Sequence, residues 1–311
     1  MDKVRLMGVG FMNRGSGKTT DAIQAIDYAT RMNVDIMSNS WGGGKYSRAL
    51  YDAIKRASDK GILFVAAAGN QANDNDRNVY YPSGYRLPNV VSVAAHAFTD
   101  ALANFSNRGK GSVHIAAPGK SILSTTVGGG HAVLSGTSMA TPHVTGALGL
   151  LLAKEGRMSP AKARERLMAT SIPAGIYRRH TISGGRVDAL NLLRDTRPFR
   201  HNPDPEKWET LTLEKPYETG HPYDPLMRTS HTFKVPGARY VRVVVEKFDL
   251  ERNYDFLTVK DARGEVADRV TGRGSALVSE FAIGDSVVLE FSSDTLTSGW
   301  GVIVREIQYI R

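Results

Sequence analysis

Apolar positions along the first two thirds of the chain switch between two periods. SRALYDAIKRASDKG places Leu50, Ala53, Ile54 and Ala57 at helical spacing and stops at Gly61. The flanking runs are continuous instead. VDIMSNSWGGG (34–44), ILFVAAAGN (62–70) and PNVVSVAAHA (88–97) are short apolar stretches ending in polar or glycine turns, as expected of strands buried on both faces. Residues 3–12 alternate weakly and predict a further strand. Ser16, Thr19 or Thr20 is expected to cap a helix over about 20–31, with Ile23, Ile26 and Tyr28 turned inward. A long helix is predicted over 137–155, and Ser159-Pro160 reads as the start of another, with a capping serine and proline at the first helical position. Strands alternating with helices predict an α/β domain built on a parallel sheet.

After residue 195 the pattern changes. Residues 196–216, rich in proline and charge, read as a linker. Beyond them RYVRVVVEKF, DFLTVKD, ALVSEFAI and SVVLEFSSD alternate with period two, predicting an all-β domain over 217–311, arranged as a sandwich. No internal repeat is present.

Composition narrows the function classes. The 311 residues are 41% apolar and 23% charged, enough for a folded core. The net charge of +9 is spread along the chain rather than gathered in a run, so a solvated surface is expected and no nucleic-acid partner. Cysteine is absent, which excludes disulfides and thiolate metal sites. No apolar run reaches the roughly 18 residues of a membrane span, and the N-terminal residues lack the pattern of a signal peptide. GFMNRGSGKTT resembles a phosphate-binding loop, but the required first glycine is replaced by Met12, so no nucleotide is expected. Lys18 is then a surface residue.

The most specific string is SGTSMATPHVTGALGLLLA, 135–153. Ser138 stands where a loop enters a helix, beside unpaired N–H groups that form a ready oxyanion site. On the residues alone, a capping role for Thr137 or Ser138 stays open beside a nucleophilic one. GTSMATPH resembles the nucleophile motif of the subtilisin-like serine peptidases, and other segments agree in order. SNSWGG resembles that family's substrate-pairing strand, here Ser40, Trp41 and Gly42. VAAAGN resembles the strand that ends in its oxyanion asparagine, here Asn70, with Ala67, Ala68 and Gly69 walling the primary pocket. YPSGYRLPNVVSVAA, VHIAAPG and GGRVDALNLL resemble later family segments, so the resemblance covers about 3–195. It implies a subtilisin-like peptidase domain over 1–195, a polypeptide substrate, Ser138 as nucleophile, and the Asn70 Nδ2 and Ser138 N–H as oxyanion donors.

The family's other two catalytic motifs, an aspartate in an Asp-Thr/Ser-Gly context and a histidine in a His-Gly-Thr-His context, are not in the sequence. None of its eight histidines stands in that setting. An incomplete peptidase domain is therefore expected, from a truncated record, a late start or a split gene. A missing N-terminal segment or another chain would then supply Asp and His, and this chain alone would be inactive. The alternative is a non-catalytic protein- or carbohydrate-binding protein on a decayed peptidase scaffold. The resemblance also implies secretion. Asp74 and Asp76, in QANDNDRN, are open to three roles: favouring basic substrates, binding calcium, or lying on a solvated loop.

FDLERNYDFLTVKD and LEFSSDTLTSGWGVIV resemble CUB-type β-sandwich domains. In calcium-binding members three acids converge on one ion, which implies a calcium site at Glu251, Asp255 and Asp294. Trp300 and Tyr254 are expected in the core.

Overall fold

The computed structural model describes residues 4–13 and 15–311. The chain forms two compact units, one holding the residues up to Pro173 and Tyr177–Pro198, the other Ala174–Ile176 and Phe199–Arg311.

The first unit runs α1 (Thr19–Arg31), β1 (Ile36–Asn39), α2 (Arg48–Asp59), β2 (Leu63–Ala67), β3 (Val90–His96), β4 (Ile115–Pro118), β5 (Ile122–Thr125), β6 (His131–Leu134), α3 (Thr137–Glu155), α4 (Pro160–Ala169), β7 (Ile172–Pro173), β8 (Gly185–Arg186) and α5 (Ala189–Arg194). One six-stranded sheet has the order β1-β2-β3-β4-β8-β7. Its first four strands are parallel, in register Ile36↔Leu63, Phe64↔Val90 and Val93↔Ile115. The continuous apolar runs follow from cover on both faces. Leu63, Val65, Val91, Val93 and Ile115 pack on Ala140, Val144, Leu148 and Leu151 of α3. Phe64, Ala66 and Val90 pack on Ile26 of α1 and on Leu50, Ala53, Ile54 and Ala57 of α2. Each fully buried Val, Leu, Ile or Phe side chain there contributes about 1.5–3 kcal/mol of transfer free energy. Ser47 caps α2 by accepting from the Leu50 N–H, and Ser159 caps α4 by accepting from Lys162. No described helix is long and apolar enough to cross a membrane.

Three expectations change here. Residues 4–12 form no strand, and residue 3 lies outside the described residues. Among the described residues no strand pairs with the segment, and Val4, Leu6, Met7 and Met12 face solvent, Leu6 at 97% exposure. Helix α1 starts after Lys18 without a side-chain cap and buries Ala22, Ile26, Ala29 and Thr30. Tyr28 lies off that stripe and is exposed. Residues 209–216, read as linker, belong to strand β9.

The second unit holds β9 (Glu209–Glu218), β10 (Arg228–Lys234), β11 (Tyr240–Asp249), β12 (Phe256–Lys260), β13 (Val266–Val270), β14 (Arg273–Val278), β15 (Ala282–Ile283), β16 (Ser286–Ser292) and β17 (Gly301–Ile310). They form a four-stranded sheet, β10-β16-β12-β13, and a five-stranded one, β14-β11-β17-β9 with β15 on β11. Alternate residues of both, such as Val241, Val243 and Val245 against Leu257, Leu289 and Phe291, close one core. Strand β9 alternates poorly because most of its residues are exposed, which hides it from a reading based on period.

A half-buried histidine ties the first unit's sheet to pH. His114, just before β4, accepts the Ser92 N–H at Nδ1 (2.9 Å). Burial, with a smaller push from Arg164, lowers its pKa from 6.5 to about 3. The unfolded chain therefore binds a proton that the folded chain refuses. Stability is complete above about pH 6.5 and falls as the pH drops toward 3. Denaturant midpoints measured across this range should fall with pH, and His114→Gln should flatten that dependence. An equal slope in both proteins would contradict this account.

Candidate active site

The sheet's carboxyl edge gathers the residues singled out by the sequence. Strand β1 runs out into Ser40, Trp41 and Gly42, and β2 into Ala68, Gly69 and Asn70, while α3 begins at Thr137. Ligands of open parallel sheets gather at this edge, and α3 points its unpaired N–H groups at it.

Thr137 joins the strand to the helix. It is wholly buried, and both its N–H (2.8 Å) and its hydroxyl (2.9 Å) donate to Asn70 Oδ1. Its hydroxyl oxygen also accepts from the Gly69 N–H (3.1 Å). A backbone N–H can only donate, so the amide oxygen of Asn70 must face Thr137. Its Nδ2 is thereby left as the outward donor on an exposed side chain. A methyl group built on Gly136 would lie 3.4 Å from that Nδ2 and 3.6 Å from the Ser138 nitrogen. The two donors thus border the same small space, which the glycine leaves open. Two N–H donors bordering one space are what an oxyanion site requires.

Asn107 holds the loop that carries Asn70. Its Oδ1 accepts from the Gln71 (2.9 Å) and Asn73 (3.0 Å) N–H groups, and its Nδ2 donates to the Ala68 carbonyl (2.9 Å). Gly69 has φ +109°, and a Cβ there would lie 2.3 Å from Asn107 Nδ2, so only glycine fits. Asp76 accepts from the Gly111 N–H and the Ser112 hydroxyl, and Asp74 accepts from the Asp76 N–H. These two acids therefore brace loops.

Ser138 is half-buried. Its hydroxyl donates to the Ser40 carbonyl (3.1 Å), and the Ser40 hydroxyl donates to the Ser138 carbonyl (2.8 Å). Among the described residues no histidine bonds to the Ser138 hydroxyl. His143, one turn along α3, pairs with the Met139 carbonyl (2.8 Å). His96 is buried against the Ala97 carbonyl (2.8 Å), and burial lowers its pKa. Trp41 is half-buried. Its indole donates to Asn39 Oδ1 (3.1 Å), and its ring meets Phe11 edge-on at 5.2 Å. The Gly43 N–H donates to the Tyr81 carbonyl (2.8 Å), fixing the segment after Trp41.

In the second unit Glu251, Asp255 and Asp294 come together, with carboxylate oxygens all within 4.8 Å of one another. Asp255 is wholly buried. It accepts from the Tyr223 hydroxyl and, at 2.8 Å, from the Asp294 N–H. Glu251 Oε2 is buried without a hydrogen-bond partner. A buried carboxylate oxygen lacking a donor fits a hard cation better than a turn residue. Of the two aromatics expected in the core, Tyr254 is 60% exposed. Trp300 is half-buried between the His221 ring (3.9 Å, stacked) and the Lys247 ammonium (3.8 Å).

Comparison with known proteins places this site in context. The sequence model of the subtilase family, peptidase family S8, matches residues 1–204. The chain is 38% identical over 162 residues to subtilisin amylosacchariticus of Bacillus subtilis subsp. amylosacchariticus, an alignment covering 52% of this chain and 42% of that protein. It is 45% identical over 140 residues to an intracellular serine protease of Paenibacillus polymyxa, covering 44% of this chain and 42% of that protein. Among solved structures, a protease from Pseudoalteromonas arctica superposes with TM-score 0.53 at 27% identity, over 60% of this chain and 61% of that one. The chain thus spans less than half the length of these two sequence relatives.

The loop geometry gives a direct test. Asn107→Ala leaves the Gln71 and Asn73 N–H groups without acceptors, each at a cost of about 1–3 kcal/mol. Denaturation should report a loss of that order, and amide exchange should quicken at residues 69–75. Unchanged exchange there would contradict the role of Asn107.

Proposed function

Because the chain belongs to the subtilase family, we propose that it carries the nucleophile and oxyanion site of a serine endopeptidase. The observation that carries this reading is the pairing of Asn70 Nδ2 with the Ser138 N–H around the space beside Gly136. The Ser138 hydroxyl attacks the peptide carbonyl carbon and passes its proton to a base. The carbonyl oxygen, now negative, takes hydrogen bonds from Asn70 Nδ2 and the Ser138 N–H, each worth about 2.7–4 kcal/mol in the transition state. The amine departs with a proton from the same base, and water releases the acyl group from Ser138. The backbones of Ser40–Gly42 and Ala67–Gly69 line the peptide, with Trp41 and Ala68 beside its side chain.

The base and its orienting aspartate come from a polypeptide segment outside this sequence. The Ser138 hydroxyl rests on a carbonyl rather than on a base, and serine needs one to react quickly. Strand β1 ends the sheet, so one of its edges pairs with no described strand. Helix α3 is apolar on nearly every side, yet it exposes Pro142, His143, Gly146 and Leu150. Helices of that composition are normally covered, which supports a further segment docking there.

The second unit is proposed as a CUB-like sandwich that binds calcium through Glu251, Asp255 and Asp294. Bound calcium would satisfy the Glu251 oxygen and tie together the two loops that carry the acids.

Two measurements test these readings. Treated with a fluorophosphonate, the folded chain should acquire one adduct, mapped to Ser138 by mass spectrometry, slowly for lack of the base and not at all in Ser138→Ala. A chain that melts cooperatively and stays unlabelled contradicts the peptidase reading and favours a non-catalytic binding protein. For the metal, calcium at about a hundred times its dissociation constant adds about 2.7 kcal/mol to the folded state. The melting temperature should rise with calcium, return with chelator, and fail to respond in Asp294→Asn. A melting temperature indifferent to calcium rules the site out.

A further inference from the structure

Helix α3 contains a proline at its sixth residue, and this explains a contact that the nucleophile motif alone does not. In an α-helix the carbonyl of residue 138 is served by the N–H of residue 142. Residue 142 is Pro142, which has no N–H. The Ser138 carbonyl is thereby freed from the helix, in the residue that carries the nucleophilic hydroxyl. The group that takes it is the Ser40 hydroxyl, at 2.8 Å. Ser40 stands in the segment leaving β1, far away in sequence, and its own carbonyl accepts the Ser138 hydroxyl at 3.1 Å. Two residues thus exchange a reciprocal pair of hydrogen bonds, and one of the pair exists because a proline vacates the acceptor.

We infer that Ser40 is a positioning residue for Ser138, acting through its side chain, and that Pro142 is the device that makes the Ser138 carbonyl available to it. This rests on the peptidase reading of Ser138. The pair fixes the distance between the nucleophile and the segment whose backbone lines the substrate. When a base takes over the Ser138 hydroxyl, the bond to the Ser40 carbonyl opens and that acceptor is free for a substrate N–H. The bond from the Ser40 hydroxyl to the Ser138 carbonyl is untouched by this exchange and keeps the register. Ser38, two residues earlier, bonds the Thr145 hydroxyl further along α3 (3.0 Å). The β1 segment is therefore fastened to α3 at two points, and only the Ser40 point reaches the nucleophile.

The test is a set of four chains: wild type, Ser40→Ala, Ser40→Thr and the double variant Ser40→Ala with Pro142→Ala. Displacing a reacting group by about 1 Å lowers rates by up to about a hundredfold. The fluorophosphonate labelling rate of Ser138 should therefore fall about tenfold or more in Ser40→Ala. Ser40→Thr, which keeps the hydroxyl, should restore it. The double variant should recover part of the rate, since residue 142 then offers its own N–H to the Ser138 carbonyl. Ser40→Ala labelling at the wild-type rate overturns the positioning role while leaving the peptidase reading intact. Absence of label in every chain, wild type included, removes the peptidase reading instead. The tether is then judged by melting temperature alone. Ser40→Ala should lower it, and the drop should shrink by more than half in a Pro142→Ala background. An equal drop in both backgrounds overturns the pairing of Ser40 with Pro142.

Discussion

Two hydrogen bonds from Thr137 to one oxygen of Asn70 set the direction of the site. An amide can present either its oxygen or its nitrogen to a pocket, and the two faces have opposite chemistry. Only the nitrogen can stabilise a negative oxygen. Thr137 removes the choice, because its backbone N–H demands the oxygen and its buried hydroxyl reinforces the demand. That arrangement depends on α3 starting beside the end of β2, which depends on the side chains packing α3 over β2, β3 and β4. The orientation of a single side chain is therefore a consequence of how the whole sheet is covered.

The rest of the site repeats the same logic of removed alternatives. Asn107 holds the loop around Asn70 by hydrogen bonds on both sides of it. Gly69 accepts a backbone that no other residue adopts easily, at a place where no other side chain fits. Pro142 withdraws a donor from the helix and so leaves the Ser138 carbonyl to Ser40. Asn107 and Pro142 would not touch a substrate, and each fixes a group that would. In the second unit the balance runs the other way. Asp255 is fully engaged, while Glu251 keeps a buried oxygen without a donor.

Much of the first unit was legible in the sequence, for a physical reason. Strands buried on both faces have no polar side to interrupt them, so β2 and β3 appear as continuous apolar runs, and the stripe Leu50, Ala53, Ile54 and Ala57 on α2 is the buried one. The errors fall where secondary structure depends on a neighbour. The weak alternation of residues 4–12 meets no partner strand, and β9 has a partner but little alternation. Tyr28 lies beside the buried stripe of α1 rather than on it, and Tyr254 lies on an exposed loop. At the site, Ser138 and Asn70 were legible because each stands in a compact string of neighbours. Thr137 was open only to a capping role, whereas the helix is preceded by Gly136 with no side-chain cap, and Asn107 was not singled out. Asn107 acts on residues more than thirty positions away, and nothing local marks it. Asp74 and Asp76 were ambiguous because a brace and a ligand use the same oxygens.

The proposed chemistry stands on Asn70 Nδ2 and the Ser138 N–H facing one reacting oxygen. The most direct measurement is a crystal structure of the chain carrying a phosphonyl group on Ser138. One phosphonyl oxygen should lie about 2.7–3.1 Å from both nitrogens, with the Asn70 oxygen still bonded to Thr137. An adduct whose oxygen points away from Asn70, or an Asn70 amide turned so that its oxygen leaves Thr137, would contradict it.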